Sequence, residues 1–262
     1  MSSKNLAYTD LIVKKESGIG KIIINREAQR NAISPNTWKE LEWAIDDFED
    51  DPNIKVAIVT GAGNKSFAAG ADLKAMQKRT AKDILSSNAP RVLMKMEQSR
   101  IVYIASINGV ALGGGCEVAL ACDIRIASKN AKFGQPEVLL SLIPAGGGTQ
   151  RLPRIIGESM AKDLIFTGRV IDGEEALRIG LISQLCEFEE LEQETEKKAA
   201  SILKNGPLAV EYAKTIMNST ITYDNRGYLL EKLYQGHLMN SEDTKEGISA
   251  FLEKRKPNFK GE

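Results

Sequence analysis

The stretch Ile101-Val-Tyr-Ile-Ala-Ser-Ile-Asn-Gly-Val-Ala-Leu-Gly-Gly-Gly-Cys-Glu-Val-Ala-Leu-Ala-Cys-Asp-Ile-Arg-Ile-Ala127 decides the fold class. Ile101 to Ile107 is a short apolar run with Ser106 as its one polar residue, as expected of a strand buried on both faces. Gly114 to Ala121 reads as a helix of small and apolar residues, and Ile124 to Ala127 as a second buried strand. Strand, helix and strand in such quick succession predict α/β layering with parallel strands. The segment Ile101 to Ile124 is the most apolar of the chain, but Asn108, Glu117 and four glycines interrupt it, so it does not read as a membrane span.

The flanks extend this pattern. Leu11 to Lys15 and Lys21 to Ile24 read as strands joined through Gly18-Ile19-Gly20. Ser34-Pro35 opens a helix, with Ser34 as N-cap and Pro35 at the first helical position. Trp38, Leu41, Ile45 and Phe48 give that helix one apolar face. Val56 to Thr60, ending at Gly61, is another buried strand, and helices are expected over Lys82 to Gln98 and Thr149 to Ile156. After about residue 190 the strand signals stop. Leu191 to Leu203, Leu208 to Met217, Tyr228 to Leu238 and Thr244 to Leu252 read as helices, with Asn205-Gly206-Pro207 breaking the first two apart. Two regions are therefore expected: a core of strands and helices over residues 1–190 that carries the active site, and a helical region over residues 191–262.

Composition narrows the class. With 262 residues, 42% hydrophobic and 27% charged, the chain is an ordinary globular one. Basic and acidic residues balance at 35 each, which gives no net charge to attract nucleic acid. The cysteines, Cys116, Cys122 and Cys186, form no Cys-x-x-Cys pair and no disulfide framework, so a reducing cytoplasmic setting is expected. Met1 to Asp10 is polar and has no apolar signal core. His237 is the one histidine, which rules out a multi-histidine zinc site; no metal is expected.

The chemistry centres on Glu117, the carboxylate set in Val110-Ala-Leu-Gly-Gly-Gly-Cys-Glu-Val-Ala-Leu-Ala-Cys122. Burial there costs several kcal/mol unless the group is neutral or well hydrogen-bonded, and pushes its pKa toward the range useful for acid–base work. A side chain that escapes to the surface is the plainer reading. Gly113-Gly114-Gly115 at the helix start leaves backbone N–H groups open to a carbonyl oxygen that is gaining negative charge, although close helix packing would also call for glycine. Phe67-Ala-Ala-Gly-Ala-Asp-Leu73 is a second small-residue segment, or a tight turn into a helix capped by Asp72. Gly61-Ala-Gly-Asn-Lys-Ser66 lacks phosphate-loop spacing. Glu137, in Phe133-Gly-Gln-Pro-Glu137, follows a stiffening proline and by itself reads as a surface carboxylate. Ile143-Pro-Ala-Gly-Gly-Gly-Thr-Gln-Arg151 adds a further glycine run. Spacing does not bring Glu117 and Glu137 together.

Taken together, Phe67-Ala-Ala-Gly-Ala-Asp-Leu-Lys74, Asn108-Gly-Val-Ala-Leu-Gly-Gly-Gly-Cys-Glu117, Cys122-Asp-Ile-Arg-Ile-Ala127 and Phe133-Gly-Gln-Pro-Glu137 closely resemble the signature of the enoyl-CoA hydratase (crotonase) family. The likeness runs from Asn25-Arg26 to Phe251-Leu-Glu-Lys-Arg-Lys-Pro-Asn-Phe259. It implies the crotonase (ClpP-like) fold, a spiral of ββα units with a helical C-terminal trimerisation region, usually assembled as a hexamer of two trimers. It implies hydration of short enoyl-CoA thioesters, with coenzyme A as part of the substrate and no separate cofactor. Ala71 and Gly114 match the oxyanion-hole positions, and Glu117 and Glu137 the catalytic carboxylates. Ala69, Asp72, Leu73 and Lys74 fall where the family binds coenzyme A, as do Phe251 and Lys254 across a subunit boundary.

This chain departs from the family pattern at a few positions. Glu27 replaces the usual proline, Ala145 stands at the first glycine of a Pro-Gly-Ala-Gly-Gly run, and Ser141 stands where many relatives have glycine near the acyl end. The resemblance points to a short-chain hydratase that also acts as a 3-hydroxypropionyl-CoA dehydratase. Enoyl-CoA isomerases of the same fold, and RNA-binding members, are the alternatives. Isomerases usually lack one of the two glutamates.

Overall fold

The computed structural model describes residues 7–219 and 226–260; Met1 to Leu6 of the polar N-terminal stretch and the last two residues of the tail lie outside them. In chain order the elements are β1 (Leu11–Glu16), β2 (Ile19–Ile24), α1 (Pro35–Glu49), β3 (Val56–Gly61), β4 (Ser66–Ala68), α2 (Leu73–Met76), α3 (Ala81–Leu85) and α4 (Ala89–Gln98). β5 (Val102–Ile107), β6 (Val110–Leu112), α5 (Gly114–Ala121), β7 (Ile124–Ser128), β8 (Lys132–Gly134), α6 (Gly148–Ile156) and α7 (Glu158–Thr167) follow. β9 (Ile171–Asp172), α8 (Gly173–Arg178), β10 (Gln184–Cys186), α9 (Leu191–Leu203), α10 (Pro207–Ser219), α11 (Arg226–Leu238) and α12 (Glu242–Glu253) complete the chain.

Two sheets result. The larger has the order β1-β2-β3-β5-β7-β10 and the smaller β4-β6-β8-β9. β2, β3, β5, β7 and β10 pair in parallel, whereas β1 joins β2 as an antiparallel hairpin. β4, β6 and β8 are parallel neighbours in the smaller sheet. Each pair β3–β4, β5–β6 and β7–β8 therefore places one strand in each sheet before the chain turns through helices, which makes the spiral of ββα units that the resemblance implies. The strands expected from apolar runs are all present. The short β4, β6 and β8, three residues each, were not anticipated. They are formed by tertiary pairing and are too brief to carry a period of their own.

The helix expected over Lys82 to Gln98 is two helices, α3 and α4. Pro90 explains the division: it has no N–H to continue a helix, but it fits the first turn of a new one. Ser34 caps α1 as expected, accepting from Thr37 N–H with a reciprocal bond.

The core lies between the sheets and α1, α4 and α5, with Phe48, Phe67, Tyr103 and Phe133 fully enclosed. On the other face of the larger sheet, α9 packs Leu191 and Ala199 against Val56, Ile58, Ile104 and Ile126. α9 thus belongs to the sheet layers, and α10 to α12 follow it. The loop between β3 and β4 is pinned by two buried amides. Asn31 Nδ2 donates to Ala62 O and Ser66 O, and Asn108 Nδ2 to Gly61 O and Gly63 O. No described helix is long and apolar enough to cross a membrane.

Candidate active site

The site begins where the chain leaves the smaller sheet. After β4, Ile33 N–H donates to Gly70 O and Asp72 N–H to Ile33 O. Those two bonds flank Ala71, so in extended backbone the Ala71 N–H points the opposite way. After β6, Gly113 takes φ 50° and ψ −126°, a conformation open to glycine, and turns the chain into α5. A side chain at Gly113 would also meet Glu137 Oε1 at 2.9 Å. Gly114 is the first residue of α5, so its N–H has no partner within the helix. From the point where a Gly114 β-carbon would stand, the Ala71 nitrogen and the Trp38 ring are each 3.9 Å away and Glu117 Oε2 is 4.0 Å away. The structure therefore gathers Ala71, Gly114, Glu117 and Glu137 around one small space.

Glu117 lies on the first turn of α5 and is 4% exposed. The plainer alternative, a side chain that escapes to the surface, does not occur. Its Oε1 accepts from Gly146 N–H at 2.7 Å and Gly148 N–H at 2.8 Å. A β-carbon on Gly146 would stand 2.6 Å from Glu117 Oε2, so this approach requires glycine. Burial raises the Glu117 pKa; the two N–H donors and the Arg151 charge oppose the rise. Glu137 sits in a 3-10 turn, Pro136–Leu140, half-buried and facing Gly113 rather than bulk solvent. This corrects the surface reading of the isolated motif, which came from sequence proximity to proline alone. The buried Gln135 amide, with its nitrogen toward Glu137, reaches both carboxylate oxygens at 3.1 and 3.2 Å. Burial, then the Glu117 charge, push Glu137 well above the ordinary carboxylate range. The two carboxylates are thus unequal: both are raised by burial, Glu137 the more strongly.

A third carboxylate, absent from the sequence reading, completes the cluster. Glu231 of α11 is 3% exposed and accepts from the Gly147 and Thr149 N–H groups and from the Thr149 hydroxyl. Burial, then the Glu117 charge, push its pKa up to about 8. Its helix signal pointed the wrong way, because Leu229, Leu230 and Leu233 surround it and a lone glutamate among leucines reads as the solvated face. Cys116, beside Glu117, is pushed up to about 12 by burial and is a poor nucleophile.

The remaining expected residues divide. Ala69 and Leu73 are half-buried near Ala71, and Lys74 is exposed on α2. The Asp72 side chain caps α2 through Ala75 N–H and pairs with Arg26 at 3.1 Å. Ala145 is half-buried, immediately before the glycines that hold Glu117. Ser141 has φ +57°, and its carbonyl accepts from Thr244 Oγ1. Its neighbours Leu140 and Leu142 pack with Ile84 and Met239. Phe251 is 60% exposed and Lys254 ends α12 in the left-handed region; within one chain neither is joined to the carboxylate cluster. Among the described residues no group of His, Cys, Asp and Glu side chains is arranged to hold a metal ion. A cavity of about 480 Å³ lies at the other end of α5, against α6 and α10. Four of its charges are paired, Lys214 with Asp123 and Arg151 with Glu97, and Arg125 donates to the Leu181 and Cys122 carbonyls.

The chain resembles known proteins over nearly its whole length. The chain is 44% identical over 257 residues to the crotonyl-CoA hydratase of Syntrophomonas wolfei, covering 97% of this chain and 99% of that one. It is 42% identical over 257 residues to the short-chain-enoyl-CoA hydratase of Clostridium acetobutylicum, covering 96% and 97%. Among solved structures, an enoyl-CoA hydratase from Bacillus anthracis superposes with a TM-score of 0.79 at 39% identity, covering 97% of this chain and 100% of that one. A carnitinyl-CoA hydratase from Mycobacterium avium superposes at 0.88 with 31% identity, covering 98% and 100%. Residues 14–262 match the Enoyl-CoA hydratase/isomerase family, and with the two-sheet spiral and the matching motifs in order, the chain belongs to that family.

Proposed function

We propose that this chain catalyses the reversible hydration of short trans-2-enoyl-CoA thioesters, crotonyl-CoA above all, and in reverse the dehydration of 3-hydroxypropionyl-CoA. The observation that carries the reading is the pairing of two unequal carboxylates, Glu117 and Glu137, around the backbone of Ala71 and Gly114. The thioester oxygen lies between the Ala71 and Gly114 N–H groups. Water attacks C3 as ionised Glu117 takes one of its protons. The electron pair of the C2–C3 double bond moves toward the thioester oxygen, and protonated Glu137 delivers its proton to C2. One water is added, and proton exchange through solvent restores the two carboxyls. Each N–H donor to the developing oxyanion contributes ~3–4 kcal/mol at the transition state. The presence of both carboxylates favours hydration over double-bond isomerisation.

Ala69, Asp72, Leu73 and Lys74 border the coenzyme A path, Asp72 through its main chain, since Arg26 and Ala75 occupy its carboxylate. Phe251 and Lys254 serve a neighbouring subunit's substrate in a hexamer of two trimers. The outward apolar faces of α10 and α11, with Tyr212 and Tyr234 about as exposed as Leu208, support that assembly.

A substrate panel tests the reading. Crotonyl-CoA, acryloyl-CoA, hexenoyl-CoA and decenoyl-CoA are assayed for hydration and in reverse, beside a 3-enoyl-CoA for isomerisation. The expected result is kcat/KM highest for the three- and four-carbon substrates and falling steeply beyond six carbons. Double-bond migration without water addition would assign an isomerase. Equal turnover of decenoyl-CoA and crotonyl-CoA would end the short-chain assignment.

A further inference from the structure

The turn from Gly146 to Thr149 is gripped from two sides. Its inner side donates two N–H groups, from Gly146 and Gly148, to Glu117. Its outer side donates the alternate two, from Gly147 and Thr149, to Glu231, which the Thr149 hydroxyl also reaches. Successive N–H groups point to opposite sides here, so the direction of one pair dictates the direction of the other. Arg151 adds a bond from its guanidinium to Gly146 O at 2.7 Å and is itself paired with Glu97. The same C-terminal helices hold the preceding residues. Gln235 Oε1 accepts from Ile143 N–H, and Thr244 Oγ1 donates to Ser141 O. Burying a carboxylate at this depth is costly, and the chemistry proposed above does not use it as an acid or a base.

We propose that Glu231 is a positioning residue: it holds the outer side of the Gly146–Thr149 turn so that the Gly146 and Gly148 N–H groups stay aimed at Glu117. This rests on the reading of Glu117 as the group that activates water. The ionisable groups facing Glu231 are Glu117 from α5 and Glu137 from the 3-10 turn, with the Thr149 hydroxyl between. Once ionised, at the alkaline end of the range, Glu231 raises the Glu137 pKa further.

The test compares Glu231→Ala, Glu231→Gln, Thr149→Val and Glu117→Gln in the full chain, measuring kcat, KM for crotonyl-CoA and the pH profile of kcat, with thermal melts as a folding control. Glu231→Ala is expected to lose about tenfold to a hundredfold in kcat with little change in KM, the scale set by a small displacement of a reacting group. Glu231→Gln keeps an acceptor for Thr149, loses one for Gly147 and removes the charge, so its kcat loss is smaller. The alkaline limb of its pH profile moves to lower pH, which a purely structural role would not produce. Thr149→Val falls in the same direction by less. Should Glu231→Ala fail to fold, the nearly isosteric Glu231→Gln and Thr149→Val decide the matter. Wild-type kcat and an unmoved alkaline limb in the Glu231 and Thr149 variants, beside an inactive Glu117→Gln, would overturn this proposal alone. An active Glu117→Gln would overturn the proposed mechanism and this proposal with it.

Discussion

Helices α1 and α11 both border the carboxylate cluster, and they turn their apolar residues in opposite directions. α1 buries Trp38, Leu41, Ala44, Ile45 and Phe48, with Thr37 and Glu40 at the edge of that stripe, and turns Lys39 and Asp46 to solvent. α11 buries Glu231 and Gln235, whereas Leu230 and Leu233 are each 48% exposed and Tyr234 is 60% exposed. α10 repeats the second arrangement, burying Lys214 on Met96 O, Ile101 O and Asp123 while exposing Leu208 and Tyr212. The rule that a helix turns its apolar stripe to the core describes α1 and fails for α10 and α11. The polar residues of the latter are drawn inward by unpaired backbone groups of the core, which must be satisfied wherever they are buried. Their apolar residues face outward, as a surface made to be covered would.

That contrast can be broken at several points. The largest effect is expected where the two helices converge. Glu117→Gln and Glu137→Gln should each keep the fold and lower hydratase turnover at least roughly a hundredfold, the usual scale for a positioned acid or base. Near wild-type turnover in either variant would remove that residue from the pair.

The helix faces come next. Leu41→Ala, on the inner face of α1, should cost about 2–5 kcal/mol in denaturant unfolding. Leu230→Asp with Leu233→Asp, on the outer face of α11, should instead dissociate the assembly in sedimentation analysis and leave each chain folded. If the double variant sediments like the wild type, the outward leucines of α11 cover nothing. If it unfolds like Leu41→Ala, the two helices are not inverted in the way described.

The pH profile of kcat sharpens the inequality of the carboxylates. In the proposed mechanism Glu117 is ionised, so activity should rise through its pKa, which burial places above the ordinary carboxylate range. In the same mechanism Glu137 is protonated, so activity should fall above its own, more strongly raised pKa. A bell with limbs of about tenfold per pH unit is expected, its two values belonging to the coupled cluster. A flat profile from acid to neutral pH would remove Glu117 as the base.

The smallest effect concerns Ser141. Its φ of +57° supplies a backbone reason for glycine at this position, separate from any effect on the acyl chain. Ser141→Gly should therefore raise stability by about 1 kcal/mol, the relief of left-handed strain less the entropy of glycine. If the hydroxyl also closes the acyl pocket, hexenoyl-CoA turnover should recover in the same variant. Stabilisation with unchanged selectivity would leave strain as the whole account of Ser141.

Much of this protein was legible in contiguous residues. The buried strands of the larger sheet, the cap at Ser34, the helix starting at Gly114 and the incongruous Glu117 are local patterns, written by short apolar runs, capping and turn chemistry over a few positions. The ordered motifs placed the chain in its family. Only the tertiary structure decided the rest. It split the helix at Pro90, put the three-residue strands β4, β6 and β8 in a second sheet, turned Glu137 inward, and brought Glu231 from a helix near the C-terminus to the far side of the turn that holds Glu117. Hydrogen bonds and charge–charge interactions depend on distance through space, and residues far apart in the chain acquire that distance only when the sheets and helices pack.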